Sequence, residues 1–289
     1  MSDNQQTQDA SVDPQAAAGS SLVHCKVDPF RRELASTFNE DAELYDRSRP
    51  RYTPALFHDL ATLAGLGPDS RVLEIGCATG QATVPLAKLG CSILAVELGD
   101  NLAEVARRNL SKFPKATVIV SPFEDWPLPA EPFDLVVAAT SFHFINENIR
   151  TPKAADALRE GGSLAVISTT HIRGGTQDFF DDVDRVYKRL KLGPPEYVCP
   201  AASDIPQIPT EFEKSKRFGP VTFHRHEWEV TYTTQQYLDV IATYSSHRIL
   251  SRDVAAELES FLVALLNGKY GGRIVKRYMA QIAIARKQD

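Results

Sequence analysis

The sequence has 289 residues, 43% of them hydrophobic, and is long enough to bury the core of one large catalytic domain. Its formal net charge is -5, from 32 Lys and Arg against 37 Asp and Glu, and no run of basic residues would follow a phosphate backbone, which argues against a nucleic-acid partner. No stretch reaches the roughly 20 apolar residues of a membrane span, so we expect no membrane partner either.

The first residues are rich in Gln, Ser, Asp and Ala and lack the basic start and apolar stretch of a signal peptide. We therefore interpret residues 1–28 as a disordered tail and residues 29–289 as one domain. The cysteines lie far apart with no CxxC pair, which favours a reducing compartment and argues against a disulfide framework or a zinc site. These features predict a cytoplasmic protein without a metal ion and leave open whether it is a monomer or a homodimer.

Short apolar runs alternate with longer helical patterns from Arg71 onwards, which is typical of βα units in a parallel sheet covered on both faces. An amphipathic helix is predicted ahead of the sheet, at about Thr53–Ala64. The predicted strands are Arg71–Ile75, Ser92–Val96, Thr117–Val120, Asp134–Ala139 and Ser163–Ser168. The predicted helices between them are about Gln81–Leu89, Leu102–Lys112 and Thr151–Leu158.

The pattern changes after Thr170. A helical face is predicted from six residues at helical spacing: Phe179, Phe180, Val183, Val186, Tyr187 and Leu190. Val221–Thr231 is predicted as extended, a capping box opens a helix at Thr233, and a further helix is expected at about Asp253–Leu266. Arg273–Ala285 is predicted as the closing strand.

The fold class that these elements predict is α/β. It is a Rossmann-like, doubly wound sheet of seven strands, mostly parallel with an antiparallel last strand. A cofactor-binding core is expected at about 38–170, and a helical lid insertion that covers the substrate at about 172–268.

The turn after the first strand reads GCATG, with glycines at a point where a strand becomes a helix. Glycines there allow the backbone to approach a ligand, and the helix N-terminus directs N–H groups at it. Glu97 ends the second strand 21 residues after Gly76, where an acid accepts hydrogen bonds from the two hydroxyls of a ribose. The sequence therefore predicts a site for a nucleoside-bearing ligand.

Two common nucleotide motifs do not fit this loop. A dinucleotide fingerprint would need glycine in place of Ala78 and Gln81, and no Gly-Lys-Ser/Thr follows to make a phosphate loop. A carboxylate, Glu74, lies beside the loop instead. Such a site suits a ligand with an amino group and a positive centre better than a pyrophosphate.

Four motifs in order then resemble a known family: LEIGCATGQ, the acid of AVELGD, SPFEDWPLP and FDLVVAATSFHFI. They are similar to the class I S-adenosylmethionine-dependent methyltransferases. YDRSRPRY and the aromatic-histidine segment resemble the small-molecule branch that includes trans-aconitate methyltransferase. The resemblance covers about Phe38 to Thr169, and it implies S-adenosylmethionine as the cofactor and methyl transfer as the reaction.

The resemblance also implies roles for residues around the methionine part of the cofactor. That part would be lined by Gly76, Cys77 and Gly80. Glu74 would support the loop, Tyr45 and Arg49 would close over the methionine carboxylate, and Thr140 would lie near the sulfonium. The sequence departs from the family here, because Ala78 replaces the commoner middle glycine.

At the nucleoside end, the resemblance implies that Glu97 holds the ribose and that Leu98 covers one face of the adenine. Phe123 and Glu124 would border its edge. Pro122 stands where many relatives have an aspartate that faces the adenine amine, so that contact would come from Glu124 or from a backbone carbonyl.

His143 follows the fourth strand at the mouth of the predicted site, where an imidazole could take a proton from an acceptor hydroxyl. The alternative, a pocket wall, stays open. The candidate substrate-binding residues are Phe142, His171, Tyr237, Tyr244 and His247. Further aromatic residues that could line an acceptor pocket are Phe144, Tyr187 and Tyr197.

The fourth strand is not followed by the Asn/Asp-Pro-Pro-Tyr/Phe element of enzymes that methylate amino groups on bases or glutamine. We therefore expect O-methylation of a hydroxyl or carboxylate of a small organic molecule, with N- or C-methylation open. The same fold and cofactor could also serve a cyclisation or rearrangement without methyl transfer. A third possibility, a binding subunit without catalysis, is disfavoured by the intact cofactor loop.

Overall fold

The structure is a computed structural model that describes residues 35–192, 198–208 and 210–288. The predicted tail at 1–28 and Tyr197 lie outside the described residues. No helix within these ranges is both long and apolar enough to cross a bilayer.

A single sheet of seven strands, in the order β3-β2-β1-β4-β5-β7-β6, forms the centre of the fold. The strands are β1 Arg71–Ile75, β2 Ser92–Glu97, β3 Ala116–Val120, β4 Phe133–Ala139, β5 Leu158–Ile172, β6 Thr222–Thr233 and β7 Arg273–Arg286. The first five are parallel, and β7 lies antiparallel between β5 and β6. The predicted fold class is confirmed.

The helices are α1 Ala42–Ser48, α2 Pro54–Ala64, α3 Thr83–Ala87, α4 Asp100–Asn109, α5 Glu147–Ala157, α6 Gln177–Arg189, α7 Thr210–Ser215, α8 Thr234–Ala242, α9 Ser245–Arg248 and α10 Arg252–Lys269. Their ends follow local signals. The αL residue Gly65 ends α2, and the predicted capping box opens α8, where Thr233 and Gln236 bond reciprocally.

Two predicted boundaries near the site were wrong. Helix α5 begins at Glu147 rather than Thr151, because Asn146 caps it and Pro152 is accommodated inside the helix. Strand β5 extends from Leu158 to Ile172, well beyond the predicted Ser163–Ser168, because Leu158 pairs with Phe133 of β4 and β7 pairs with residues 163–172.

Both faces of the sheet are covered. One face packs against α2, α3 and α4, and the other packs against α5 and α7. A separate apolar cluster joins α6, α8 and α10 to β6 and β7. The range 172–268 includes β6, an edge strand of the sheet, so the helices predicted to form a lid lie on either side of that strand.

Candidate functional site

The loop after β1 has the backbone that the sequence predicts. Gly76 has a φ of +70°, and a Cβ built on it would lie 2.6 Å from the Cβ of Ser141, the second residue after β4. Gly80 also has a positive φ, +92°, but no atom lies closer than 3.7 Å to its virtual Cβ. Gly76 is therefore required by conformation and by space, and Gly80 by conformation alone.

Ala78, the departure from the family pattern, adopts a left-handed φ of +48°. Its N–H donates to Glu97 Oε2 at 2.7 Å, and Gly99 N–H donates to Oε1 at 2.9 Å. Burial raises the pKa of Glu97, although these N–H donors oppose the effect. The carboxylate is thus fixed at the end of β2, and each of its oxygens keeps a lone pair for a ligand hydroxyl.

Glu74 lies beneath the loop in β1 and is 1% exposed. Burial raises its pKa to about 7, and its Oε2 has no hydrogen-bond partner within the described residues. An unpartnered buried carboxyl oxygen is costly unless a donor or cation reaches it. Glu74 is therefore ready to accept a hydrogen bond from a ligand.

Helix α1 is held against the loop through Asp46. Its Oδ1 accepts hydrogen bonds from Thr79 Oγ1 at 2.8 Å and from Asn109 Nδ2 at 3.1 Å. Asn109 also donates to the carbonyl oxygen of Thr79, at 2.9 Å. This polar network fixes the helix that carries Tyr45 and precedes Arg49.

Arg49 lies among aromatic rings. Its guanidinium carbon is 4.8 Å from the ring centroid of Tyr45, 4.9 Å from that of Tyr244 and 5.6 Å from that of Phe38. One nitrogen donates to the carbonyl oxygen of Thr243 at 2.9 Å, and Nε is buried with no hydrogen-bond partner in the described part of the chain. The planar cation is therefore held in place with donors left for an anion.

On the predicted adenine side, Leu98 is half-buried directly after β2. Phe123 is buried in the core, with Lys153 Nζ 5.3 Å from its ring centroid. Glu124 Oε1 accepts from Asn146 N–H at 3.1 Å, so this carboxylate helps to position the start of α5. Glu124 keeps further acceptor lone pairs for an adenine contact.

Thr140, the residue after β4, has a left-handed φ of +58°. Its hydroxyl lies 3.1 Å from the phenol oxygen of Tyr52 and donates to Thr169 Oγ1 at 3.2 Å. A β-branched residue rarely adopts such a φ, and strained residues of this kind cluster at functional sites. These hydroxyls connect the carboxyl end of β4 to that of β5.

Comparison with known proteins gives the family. A family model described as a methyltransferase domain matches residues 72–162. An uncharacterised methyltransferase of Mycobacterium tuberculosis is 26% identical over 221 residues, which cover 74% of this chain and 79% of that protein. The structure of a candidate type II methyltransferase from Anaeromyxobacter dehalogenans matches with a TM-score of 0.53 and 25% identity, over 83% of this chain and 97% of that one. The chain is a class I S-adenosylmethionine-dependent methyltransferase.

A further relative of the methyltransferase is the aklanonic acid methyltransferase of a Streptomyces species. It is 26% identical over 157 residues, which cover 52% of this chain and 70% of that protein. The shared region therefore covers about half of this chain.

S-adenosylmethionine fits the groups around the loop. The cofactor carries an ammonium, a carboxylate and a ribose, and the chain offers an unpartnered carboxyl oxygen on Glu74, an unpartnered Nε on Arg49 and the fixed carboxylate of Glu97. Cys77 is buried in the same loop, where burial raises the pKa of its thiol well above its usual value. It is a neutral wall rather than a nucleophile.

The residues after β4 differ in how deeply they are buried. Phe142 is 2% exposed and packs in the core with Arg150 over its ring, and it also lines the small cavity that His143 borders. His143 is half-buried, and its ring centroid is 4.1 Å from that of Phe144. A small cavity lies beside His143, between β5, β6 and β7, and includes Gln281 in its lining.

Of the other predicted substrate residues, His171 lies on β5, and Tyr237, Tyr244 and His247 belong to the range 172–268. Tyr237 is buried in the apolar cluster of the lid. His247 Nε2 is 2.5 Å from Tyr187 OH, and burial, helped by the charge of Lys276, lowers the pKa of this imidazole to about 4. His171, on β5, has a pKa well below its usual value for the same two reasons. Both imidazoles are therefore neutral at physiological pH.

Sequence reasoning missed Lys276. This residue of β7 is 6% exposed, and its Nζ donates to Tyr244 OH at 3.2 Å. Burial alone would raise the pKa of Tyr244, but Lys276 and Arg49 on either side outweigh it and lower the pKa. The one signal in the strand pattern is alternation, which puts Lys276 on the same face as the buried Ile274 and Tyr278. No group of three His, Cys, Asp or Glu side chains in the described ranges could hold a metal ion.

Proposed function

We propose that this methyltransferase transfers a methyl group to an oxygen of a small organic acceptor, a hydroxyl or a carboxylate. The charge beneath the lid carries the proposal. Arg49 and Lys276 lie on either side of Tyr244, and the imidazoles beside them are neutral. An amine is cationic at neutral pH and would be repelled there, whereas an oxygen acceptor is neutral or anionic. The relative that acts on aklanonic acid supports a small organic acceptor.

The bound cofactor supplies an electrophilic methyl group on a sulfonium. We assign Glu97 to the ribose hydroxyls, Arg49 and Tyr45 to the methionine carboxylate, and Glu74 to the amino group. The loop of Gly76, Cys77 and Gly80 would border the methionine part. The remaining assignments are Thr140 near the sulfonium and Leu98, Phe123 and Glu124 around the adenine.

The acceptor side is assigned to the lid and to the ends of β4 and β5. In-line transfer needs the acceptor held in near-attack geometry with water excluded. Residues 29–289 would form one domain in which the helical parts of 172–268 close over the core at 38–170. His143, at the mouth of the site, is the candidate base for an acceptor hydroxyl. A carboxylate acceptor would need no base.

The test is to incubate the purified protein with S-adenosylmethionine and panels of hydroxylated and carboxylic acceptors, and to measure S-adenosylhomocysteine and the methylated product by mass spectrometry. Formation of a methyl ether or ester together with S-adenosylhomocysteine supports the proposal. Methylation of amines alone would contradict it. Product formation without S-adenosylhomocysteine would indicate a cyclisation or rearrangement instead.

Calorimetry of a Glu97→Ala variant tests the cofactor assignment. Loss of two charge-assisted hydrogen bonds should weaken S-adenosylhomocysteine binding by roughly 10-fold or more. Glu104→Ala, at an exposed position of α4, is the control and should bind as the unaltered protein does. Unchanged affinity in Glu97→Ala would remove Glu97 from the ribose site.

A further inference from the structure

Lys276 places a cation where the protein supplies no anion. It lies near the start of β7, paired with Val230 of β6, and its side chain is buried. Its Nζ is 5.3 Å from the ring centroid of Tyr278, 5.4 Å from that of Tyr244 and 5.9 Å from that of Phe180. The ammonium is therefore enclosed by ring faces on several sides.

The described residues around Lys276 supply no carboxylate to balance the charge of its ammonium. Lys276 Nζ donates its hydrogen bond to the phenol oxygen of Tyr244, and no carboxylate in the described ranges forms an ion pair with Lys276. Ring faces attract an ammonium only weakly compared with the hydration that it loses on burial. A buried ammonium is stable when a counter-charge approaches it.

The neighbouring groups add to the positive charge. Arg49 lies 4.9 Å from the same Tyr244 ring that Lys276 approaches, and it too forms no ion pair in the part of the chain described. The charged groups of Arg49 and Lys276 therefore both lie against the ring of Tyr244. The methionine carboxylate, assigned to Arg49 above, accounts for one anion, and Lys276 remains without one.

Next to Lys276 lies a further unpartnered polar atom. His171 Nε2 is buried with no hydrogen-bond partner, and the imidazole ring is 4.3 Å from the Phe180 ring and 6.5 Å from the Tyr278 ring. Lys276 approaches the same two rings. An ammonium and an imidazole N–H on one ring-lined surface provide two donors to a single anion.

We propose that the acceptor is a carboxylic acid with an apolar body, whose carboxylate pairs with Lys276 and accepts a hydrogen bond from His171. This inference rests on the proposed function, because it takes Arg49 as the site of the cofactor carboxylate. One ammonium and neutral imidazoles match a monoanion, whereas a phosphate dianion would need more cations. The rings of Phe180, Tyr278 and Trp228, the last of which stacks on Tyr278 at 5.5 Å, pack against the apolar body.

The experiment measures binding by calorimetry with saturating S-adenosylhomocysteine, using benzoate, phenylacetate, cinnamate and octanoate, each against its amide. We expect at least one acid to bind. Its amide should bind more weakly by about 10-fold or more. Lys276→Met should weaken binding of that acid about 10-fold or more, and Lys276→Arg should keep most of it. Lys188→Met, on the exposed side of α6, is the control and should change nothing.

Several results would overturn the inference. They are the absence of binding by all four acids, equal binding of acid and amide, or an unchanged affinity in Lys276→Met. A tyrosinate absorbance at neutral pH that disappears in Tyr244→Phe would also overturn it, because the phenolate would then be the counter-charge. If Lys276→Met does not fold, as judged by circular dichroism, the acid and amide comparison and Lys276→Arg decide.

The experiment separates this inference from the proposed function, because it needs no methyl transfer. If the protein binds S-adenosylhomocysteine but none of the four acids, the carboxylate site alone is refuted. Binding of an acid by a protein that methylates no oxygen acceptor would refute the proposed function alone.

Discussion

Replacing Gly76 with alanine should destabilise the protein more than the same change at Gly80. An alanine at positive φ costs about 1–2 kcal/mol at either position. At position 76 the new methyl group would also lie 2.6 Å from Ser141 Cβ, and such overpacking costs about 1–3 kcal/mol. We therefore expect a loss of roughly 2–5 kcal/mol for Gly76→Ala and about 1–2 kcal/mol for Gly80→Ala.

A double-mutant cycle isolates the contact with Ser141. In a Ser141→Gly background the methyl group has room, so Gly76→Ala should cost only the conformational part, and the coupling energy should be about 1–3 kcal/mol. Urea unfolding followed by circular dichroism gives the free energies of unfolding of all four variants. Equal costs at positions 76 and 80, or a cycle with no coupling, would refute the reasoning.

Three further predictions concern the same site. The native pKa of Glu74, about 7, lies above its unfolded value of 4.5, so its contribution to stability is full below about pH 4.5 and is lost as the pH rises through 7. Without cofactor, the free energy of unfolding should fall by up to about 3 kcal/mol between about pH 5 and about pH 8, and Glu74→Gln should remove most of this fall; an equal fall in the variant would contradict the assignment. Asp46→Ala should lower stability by about 1–3 kcal/mol and weaken S-adenosylhomocysteine binding in calorimetry, while Glu43→Ala, exposed on α1, should do neither. Once an acceptor hydroxyl is found, His143→Ala should lower kcat by about 100-fold with little change in KM, and an effect confined to KM would make His143 a wall.

The sequence predicts the parallel half of the sheet closely, because each strand there is a short apolar run that both faces bury. β1 matches its predicted bounds, and β4 begins one residue early. The start of α5 was mispredicted because Pro152 is typical of a first turn, whereas the signal that caps the helix is Asn146, several residues earlier. Local patterns are thus reliable where burial is uniform and fail where two local signals compete.

The conformation of the glycine-containing loop after β1 was accessible to sequence reasoning because its residues are close together in the chain. The network of Asp46 with Thr79 was not, since these residues are 33 positions apart and neither belongs to a motif. The deep burial of Phe142 was not accessible to sequence reasoning either. In the short 3-10 helix at 142–144, neighbouring side chains point in different directions, so Phe142 enters the core beside the half-buried His143.

Lys276 shows most clearly what sequence-based prediction could not find. A lysine in a strand is ordinarily exposed. Here the helices on either side of β6 cover it, and some of them lie about a hundred residues earlier in the chain. The cofactor-binding and substrate-binding assignments stay predictions until the variants are measured.

The position of β7 also has a consequence for folding during synthesis. β7 leaves the ribosome last, yet it lies between β5 and β6 and pairs, for example, Ser163 with Arg286. Until it arrives, the open edge of β5 has no neighbour and β6 has nothing to pair with, and contacts between such distant segments form slowly. A nascent chain can complete the parallel strands around the cofactor loop first. The strand that carries Lys276 pairs after them, so the loop assigned to the cofactor forms before the surface that we propose for the acceptor.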